Sequence, residues 1–210
     1  MLDVHPPHEA VHTWRDFFIH IATICVGLLI AIGLEQTVEH FHRRHQLQKA
    51  REELRDDIEN DRRITAIQLE CIHQMQAELQ TDMGLLLAHR TTNQPLAAKL
   101  TFDWNFRRVR TSAWNTNKLA GTLELMPHPE LAHYDYIFTT TDAVMDSAAV
   151  WETEIETAKA IATRSPDGAL SPQDTSELIT AISKTQGELA RTQRLILFAK
   201  QSLDDHSYDR

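Results

Sequence analysis

The chain is poor in cysteine, in glycine and in basic side chains, and each shortage removes a class of function. Only two cysteines occur in 210 residues, Cys25 and Cys71. They cannot build a disulfide framework, and they lack the spacing of a metal site. Six glycines leave no Gly-rich phosphate loop, and neither a G-x-S-x-G elbow nor a Cys-x-x-Cys pair occurs. That scarcity also favours helix over sheet. The 21 Lys and Arg stand against 30 Asp and Glu, a formal charge of -9. With no basic stripe carrying interleaved aromatics, a nucleic-acid partner is not expected. Nothing names a reaction, so neither enzymatic activity nor a cofactor is expected.

What the chain does have is one apolar run, FFIHIATICVGLLIAIGL at 17–34, free of formal charge. At ~1.5 Å per residue it covers about 27 Å, close to the ~30 Å core of a bilayer. Trp14 stands at the interfacial position, and Arg15 and Asp16 close the run. A cleaved signal peptide would have a shorter apolar core behind a basic leader. Here Asp3, Glu9 and Asp16 precede the run, although Ala31-Ile32-Gly33 offers a small-x-small site. Ile24 before Cys25 does not fit a lipidation box. Within the run, Thr23 can bond a carbonyl one turn back, and His20 lies one turn from the interface. Thr23, Gly27 and Ala31 recur every four residues and form a small-residue stripe suited to self-association of membrane helices. Arg43, Arg44, Lys49 and Arg51 follow the run, so the positive-inside rule leans towards a cytoplasmic C-terminal part.

The expected fold is all-α. A single transmembrane helix continues into a long stalk helix, followed by an antiparallel three-to-four-helix bundle. The expected parts are an N-terminal tail at 1–16, a transmembrane helix at 17–34, a stalk at 35–59 and a bundle at 60–210. From 34 to 83 there is neither Pro nor Gly, and strong helix formers dominate. Leu47, Leu54, Ile58, Ile64, Ile67, Cys71, Met75, Leu79 and Met83 are read as its apolar face. The charged part nearest the run, with Glu52-Glu53 and Asp56-Asp57, is read as a solvated stalk or an oligomer's coiled coil. A short helix is expected over 111–120, capped at Thr111 or Ser112 and stopped by Gly121. His128-Pro129-Glu130 opens a strong helix. Its seam runs through Tyr134, Ile137, Thr141, Val144, Ala148, Trp151, Ile155, Ala158 and Ala162 in alternating steps of three and four. Ser165-Pro166-Asp167-Gly168 breaks that helix. Ser171 and Pro172 start the last one, whose seam is Leu178, Ile182, Thr185, Leu189, Thr192, Ile196, Ala199 and Leu203. Two such seams joined by a short loop make an antiparallel hairpin.

Two segments, VGLLIAIGLEQTVE at 26–39 and TSAWNTNKLAGTLELMPHPELAHYDYIF at 111–138, resemble an uncharacterised family of bacterial single-pass membrane proteins. Trp114, Gly121, Leu123, Leu131 and Tyr134 match its second pattern. The resemblance implies a bacterial inner-membrane protein with a helical domain of no assigned activity. It leans towards a periplasmic domain, against the charge arithmetic.

Twelve histidines are the compositional oddity. His5, His8 and His12 lie in the tail, and His40, His42 and His45 follow the apolar run. On a helix His42 and His45 share a face, His40 points elsewhere, and Glu39 lies one turn from His42. His42 and His45, with Glu39 or His40, are the candidate metal ligands. A divalent ion needs three or four convergent groups, so one helix falls short without a partner chain. Trp104, Trp114 and Trp151 are read as core anchors. The alternation of Phe102, Trp104 and Phe106 suggests an extended segment lying on the bundle, within an otherwise unassigned 96–110. Arg107, Arg108 and Arg110 form the dense basic cluster beside it. The leading expectation is a membrane-anchored scaffold or accessory subunit. It would contact the lipid bilayer, an unknown protein partner, and its own copies through Thr23, Gly27, Ala31 and the stalk. The alternative is a metal- or pH-responsive membrane sensor using the juxtamembrane histidines.

Overall fold

The computed structural model describes residues 14–165, 168–205 and 207. Most of the N-terminal tail, with His5, His8 and His12, and also Pro166 and Asp167 lie outside the described residues. The fold is all-α. Helix α1 is Trp14–Thr92, α2 is Ser112–Leu119, α3 is His128–Ala162 and α4 is Pro172–Leu203, with a 3-10 turn at Thr122–Leu125 before α3. The chain divides into two compact units, with the boundary between Gln48 and Lys49.

In the first unit every described residue up to Gln46 is exposed and helical. The side chains of Phe18, Ile24, Leu29 and Leu34 are each more than half exposed. Local bonds support the helix: Thr23 Oγ1 donates to the Ile19 carbonyl at 2.9 Å, and Thr37 Oγ1 to that of Gly33 at 2.7 Å. Among the described residues, α1 is the one helix long and apolar enough to cross a membrane, and its apolar window is wholly unburied.

The second unit begins at Lys49, and burial on α1 begins at Ala50. From Leu54 the buried positions of α1 are Ile58, Asp61, Thr65, Gln68, Ile72, Met75, Leu79, Asp82, Leu86 and His89, with Asp57 beside them. The steps alternate four and three without a break, which is a heptad seam. Its middle is polar. Ile64 and Cys71 are half-buried and Ile67 is exposed, so the true face lies one position away from the apolar residues there. α1 stops where Asn93 turns left-handed at φ 57 and returns its N–H to the His89 carbonyl at 2.8 Å. Asn tolerates that conformation better than most residues.

The α3 and α4 seams form the antiparallel hairpin. Ser147 Oγ and Thr192 Oγ1 meet at 2.8 Å, and Lys184 pairs with Glu154 at 3.5 Å. All eight expected α4 seam positions are buried. On α3 the seam holds as far as Ala158, and Ile161 rather than Ala162 is buried at the end. Ser171 Oγ caps α4 by accepting the Asp174 N–H at 3.0 Å, satisfying one of the orphan donors of the first turn. Ile72, Met75, Leu79 and Leu86 of α1 join Val144, Trp151 and Ile155 of α3 and Leu178, Ile182, Leu189 and Ile196 of α4 in one core. Trp114 of α2 stacks on Phe138 at 5.2 Å between centroids. Arg51 donates twice to Glu130, at 2.6 Å each, tying α1 to the first turn of α3.

Candidate functional site

The polar seam residues of α1 hold a strap. Between α1 and α2 the chain runs without helix or strand from Asn93 to Thr111. It returns along α1 in the opposite direction. Asp82 accepts the Thr101 N–H at 3.0 Å, and Glu78 accepts the Trp104 indole N–H at 2.5 Å. Gln68 Nε2 donates to the Arg107 carbonyl at 2.8 Å, and Asp61 accepts the Arg110 N–H at 2.8 Å. Asp57 then accepts the Ala113 N–H at 2.9 Å, and Glu53 accepts from the Asn117 side chain at 3.0 Å. The strap and then α2 descend from Thr101 to Asn117 as α1 is followed back from Asp82 to Glu53. Phe102, Trp104 and Phe106 face inward from it and pack on the core. Phe106 meets Trp151 edge-on at 5.3 Å.

The chemistry of this face is that of a main-chain clamp. A strap outside any sheet leaves its N–H groups without partners, and a buried unpaired donor is costly. Carboxylates in two groups on α1 supply acceptors, Glu53, Asp57 and Asp61 at one end and Glu78 and Asp82 at the other, each one turn from the next within its group. Asp57 substitutes for a cap that Thr111 does not provide, since the Thr111 side chain makes no capping bond. Its charge also suits the α2 N-terminus. Burial pushes the Asp61 carboxyl up to about 6; the Arg110 N–H and Asn60 oppose that, and Asp57 adds to it. Burial likewise raises Asp82, against its bond from Thr101. Reading Glu53 and Asp57 as solvating charges is therefore corrected: Asp57 is buried, Glu53 is half-buried, and both hold the α2 segment. A carboxylate four residues from the next in a heptad position was the available signal.

His89 fastens the far end of the same unit. Its side chain is buried, with Nδ1 2.5 Å from the Gln94 carbonyl and Nε2 3.1 Å from the Leu170 carbonyl. The ring therefore stands between two carbonyls that belong to separate loops. Leu96 N–H donates to the Gly168 carbonyl at 3.1 Å and joins the same two loops. Gly168 sits at φ 75, and a Cβ there would stand 3.3 Å from Leu96, so both the backbone angle and the close approach ask for glycine.

The candidate metal ligands lie in the first unit. His40, His42 and His45 are exposed on α1. His42 Nε2 is 2.9 Å from Gln46 Nε2, and Glu39 pairs with Arg43. Among the described residues no three His, Cys, Asp or Glu side chains converge on a common point. Of the basic cluster, Arg108 pairs with Glu152 at 3.1 Å. Trp114 and Trp151 are buried as expected and Trp104 is half-buried.

No family model, curated protein or solved structure matches the chain. The comparisons therefore identify no family for it. The fold supports a helical protein with one long apolar N-terminal helix.

Proposed function

We propose that this protein is a single-pass, membrane-anchored helical scaffold or accessory subunit that works through protein–protein contact and carries no catalytic activity. The observation that carries the reading is the exposed apolar helix at 17–34. Burying so many large apolar side chains is worth ~1.5–3 kcal/mol each, and none of the described residues covers them. A lipid bilayer is the solvent that would. Support for the non-catalytic part comes from the second unit. Asp57, Asp61 and Asp82 are spent on backbone N–H groups, and Glu130 on Arg51. In each case a carboxylate oxygen serves as a structural acceptor for an N–H group. Exposed apolar side chains remain for partners: Leu119 is 90% exposed, and Leu197 and Phe198 stand out from α4. Within the membrane, the stripe of Thr23, Gly27 and Ala31 suits self-association.

The test uses native membranes. The chain should stay in the pellet after alkaline carbonate extraction, with peptides covering 17–34 present. Cross-linking should then capture a reproducible partner protein or a second copy. Release by carbonate overturns the anchor, and the absence of any stoichiometric partner or self-assembly overturns the scaffold.

A further inference from the structure

Residues 107–113 close over the polar part of the α1 seam. They lie between two aromatic anchors, Phe106 edge-on to Trp151 at 5.3 Å and Trp114 stacked on Phe138 at 5.2 Å. Asp57, Asp61, Thr65 and Gln68 are the buried positions of α1 at this level. Among the described residues three hydrogen bonds hold the segment to α1. Gln68 donates to the Arg107 carbonyl, the Arg110 N–H donates to Asp61, and the Ala113 N–H donates to Asp57. The side chains of the segment add little, since Arg107, Arg108, Arg110 and Ser112 are exposed and Val109, Thr111 and Ala113 are half-buried. Phe102, Trp104 and Phe106 differ, because they pack on the apolar core with Ile72, Met75 and Leu79. Asp61 Oδ2 and Gln68 Oε1 are both buried without a partner. A buried acceptor left unpaired is costly, and access to water removes that cost.

We propose that 107–113 is a proton-controlled flap, closed over Asp57, Asp61, Thr65 and Gln68 in acid and lifting between its two aromatic anchors as the Asp61 carboxyl loses its proton to water. The neutral acid keeps one oxygen as the acceptor for the Arg110 N–H and buries no charge. The carboxylate must be buried with one oxygen unpaired, one turn from a second buried carboxyl, Asp57. Lifting the flap returns it to water at the cost of three hydrogen bonds, without parting either aromatic pair. Burial holds the Asp61 carboxyl at about 6; the Arg110 N–H, Asn60 and the Arg110 charge oppose that, and Asp57 adds to it. The other charges at this level have partners of their own. Arg62 is turned to Glu59 and to the Leu203 carbonyl. Arg108 pairs with Glu152 and His133 with Asp205, while on α4 Lys200 pairs with Asp204. An acid that binds its proton more tightly in the closed form than in the open one favours closure below the open form's ordinary ~3.9. That contribution is lost as pH rises through the closed form's value.

The test is hydrogen exchange on the full chain in nanodiscs, with each rate corrected for the intrinsic pH dependence of exchange. Opening of the amides in 107–113 should rise by roughly ten- to a hundredfold between about pH 4 and 7. It should stay far more frequent than the global opening reported by the middle of α3 and α4. Urea below the unfolding transition should speed the global opening and leave the flap nearly unchanged, because a local opening exposes little surface. Asp61→Asn keeps an acceptor and cannot ionise, so its flap should lose the pH dependence and be the better protected at pH 7. Asp57→Asn keeps an acceptor for the Ala113 N–H and removes the neighbouring charge, so the rise should move to lower pH. Protection of α3 and α4 at pH 4 equal to the parent's shows each variant intact. The same pH dependence in Asp61→Asn as in the parent overturns the proposal. So does flap exchange that merges with that of α3 and α4 and follows urea with it, or a flap already unprotected at pH 4. The result is independent of the scaffold reading, which rests on membrane extraction and partner capture.

Discussion

Asp61 and Arg110 are 49 positions apart in sequence, yet Asp61 Oδ1 accepts the Arg110 backbone N–H at 2.8 Å. The other oxygen of Asp61 is buried without a partner. One carboxylate therefore both anchors the strap and carries a desolvation cost. Its carboxyl is pushed up to about 6 by burial, from an ordinary value of ~3.9 in an unfolded chain. An acid whose folded value is raised stabilises the fold below its unfolded value, and that contribution is lost as pH rises through the folded one.

Stability should therefore fall between about pH 4 and pH 6 from this group. Asp61→Asn keeps an acceptor for Arg110 and cannot ionise. The variant should lose this part of the slope and gain roughly 1–2 kcal/mol at pH 7. Asp61→Ala, which strands the N–H, should cost roughly 1–3 kcal/mol. Urea melts across the pH range check both, and an unchanged slope in Asp61→Asn refutes the assignment.

His89 closes the loops at 93–99 and 168–170. Replacing it with Phe keeps the bulk and removes both contacts to the Gln94 and Leu170 carbonyls. Leaving the buried Leu170 carbonyl unpaired should cost roughly 1–3 kcal/mol. Hydrogen exchange should quicken in those two loops and in the segment at 96–103, while the middle of the bundle is unchanged relative to its own stability. Uniform loss of protection across the unit would argue against a local latch.

Trp151 sits in the core against Phe106, and its indole N–H has no partner. Trp151→Ala should destabilise by roughly 3–5 kcal/mol through the cavity it leaves. Trp151→Phe should cost distinctly less, since a ring is kept and an unpaired donor is removed. Equal melting of Trp151→Ala and parent would place the seam in solvent.

The juxtamembrane histidines should behave as surface groups. Replacing His40, His42 and His45 together with Gln retains helix propensity and removes the three imidazoles. At each pH between about 5 and 8, assembly and melting of this variant should match those of the parent. Zinc or copper titrated into the parent should bind weakly and without fixed stoichiometry, as two same-face ligands on one helix are too few. Stoichiometric binding at micromolar concentration or tighter, lost in the triple variant and on acidification, would instead establish the sensor reading.

Much of the helical layout is legible in the chain itself. Pro129 and Ser171-Pro172 mark helix starts, Gly121 a stop, and the apolar steps in α3 and α4 give the seams almost residue by residue. These are local signals, because caps, proline and side-chain spacing act within a turn or two. The exposed run at 17–34 is of the same kind, needing only length and composition.

The middle of α1 and its strap were decided by tertiary structure. Asp61, Thr65, Gln68 and Asp82 occupy buried seam positions, where hydrophobic periodicity expects apolar residues, so the face read from sequence holds at Leu54, Ile58, Met75 and Leu79 and is one position out of phase over 64–71. Acidic residues are rarely buried unless paired. Here the pairing partners are backbone N–H groups of Thr101, Arg110 and Ala113, and a main-chain donor has no letter in the sequence. The same holds for His89, whose two partners are carbonyls on separate loops. Local periodicity determined where the helices lie; which of their polar residues are buried was settled only when a distant stretch of backbone was laid against them.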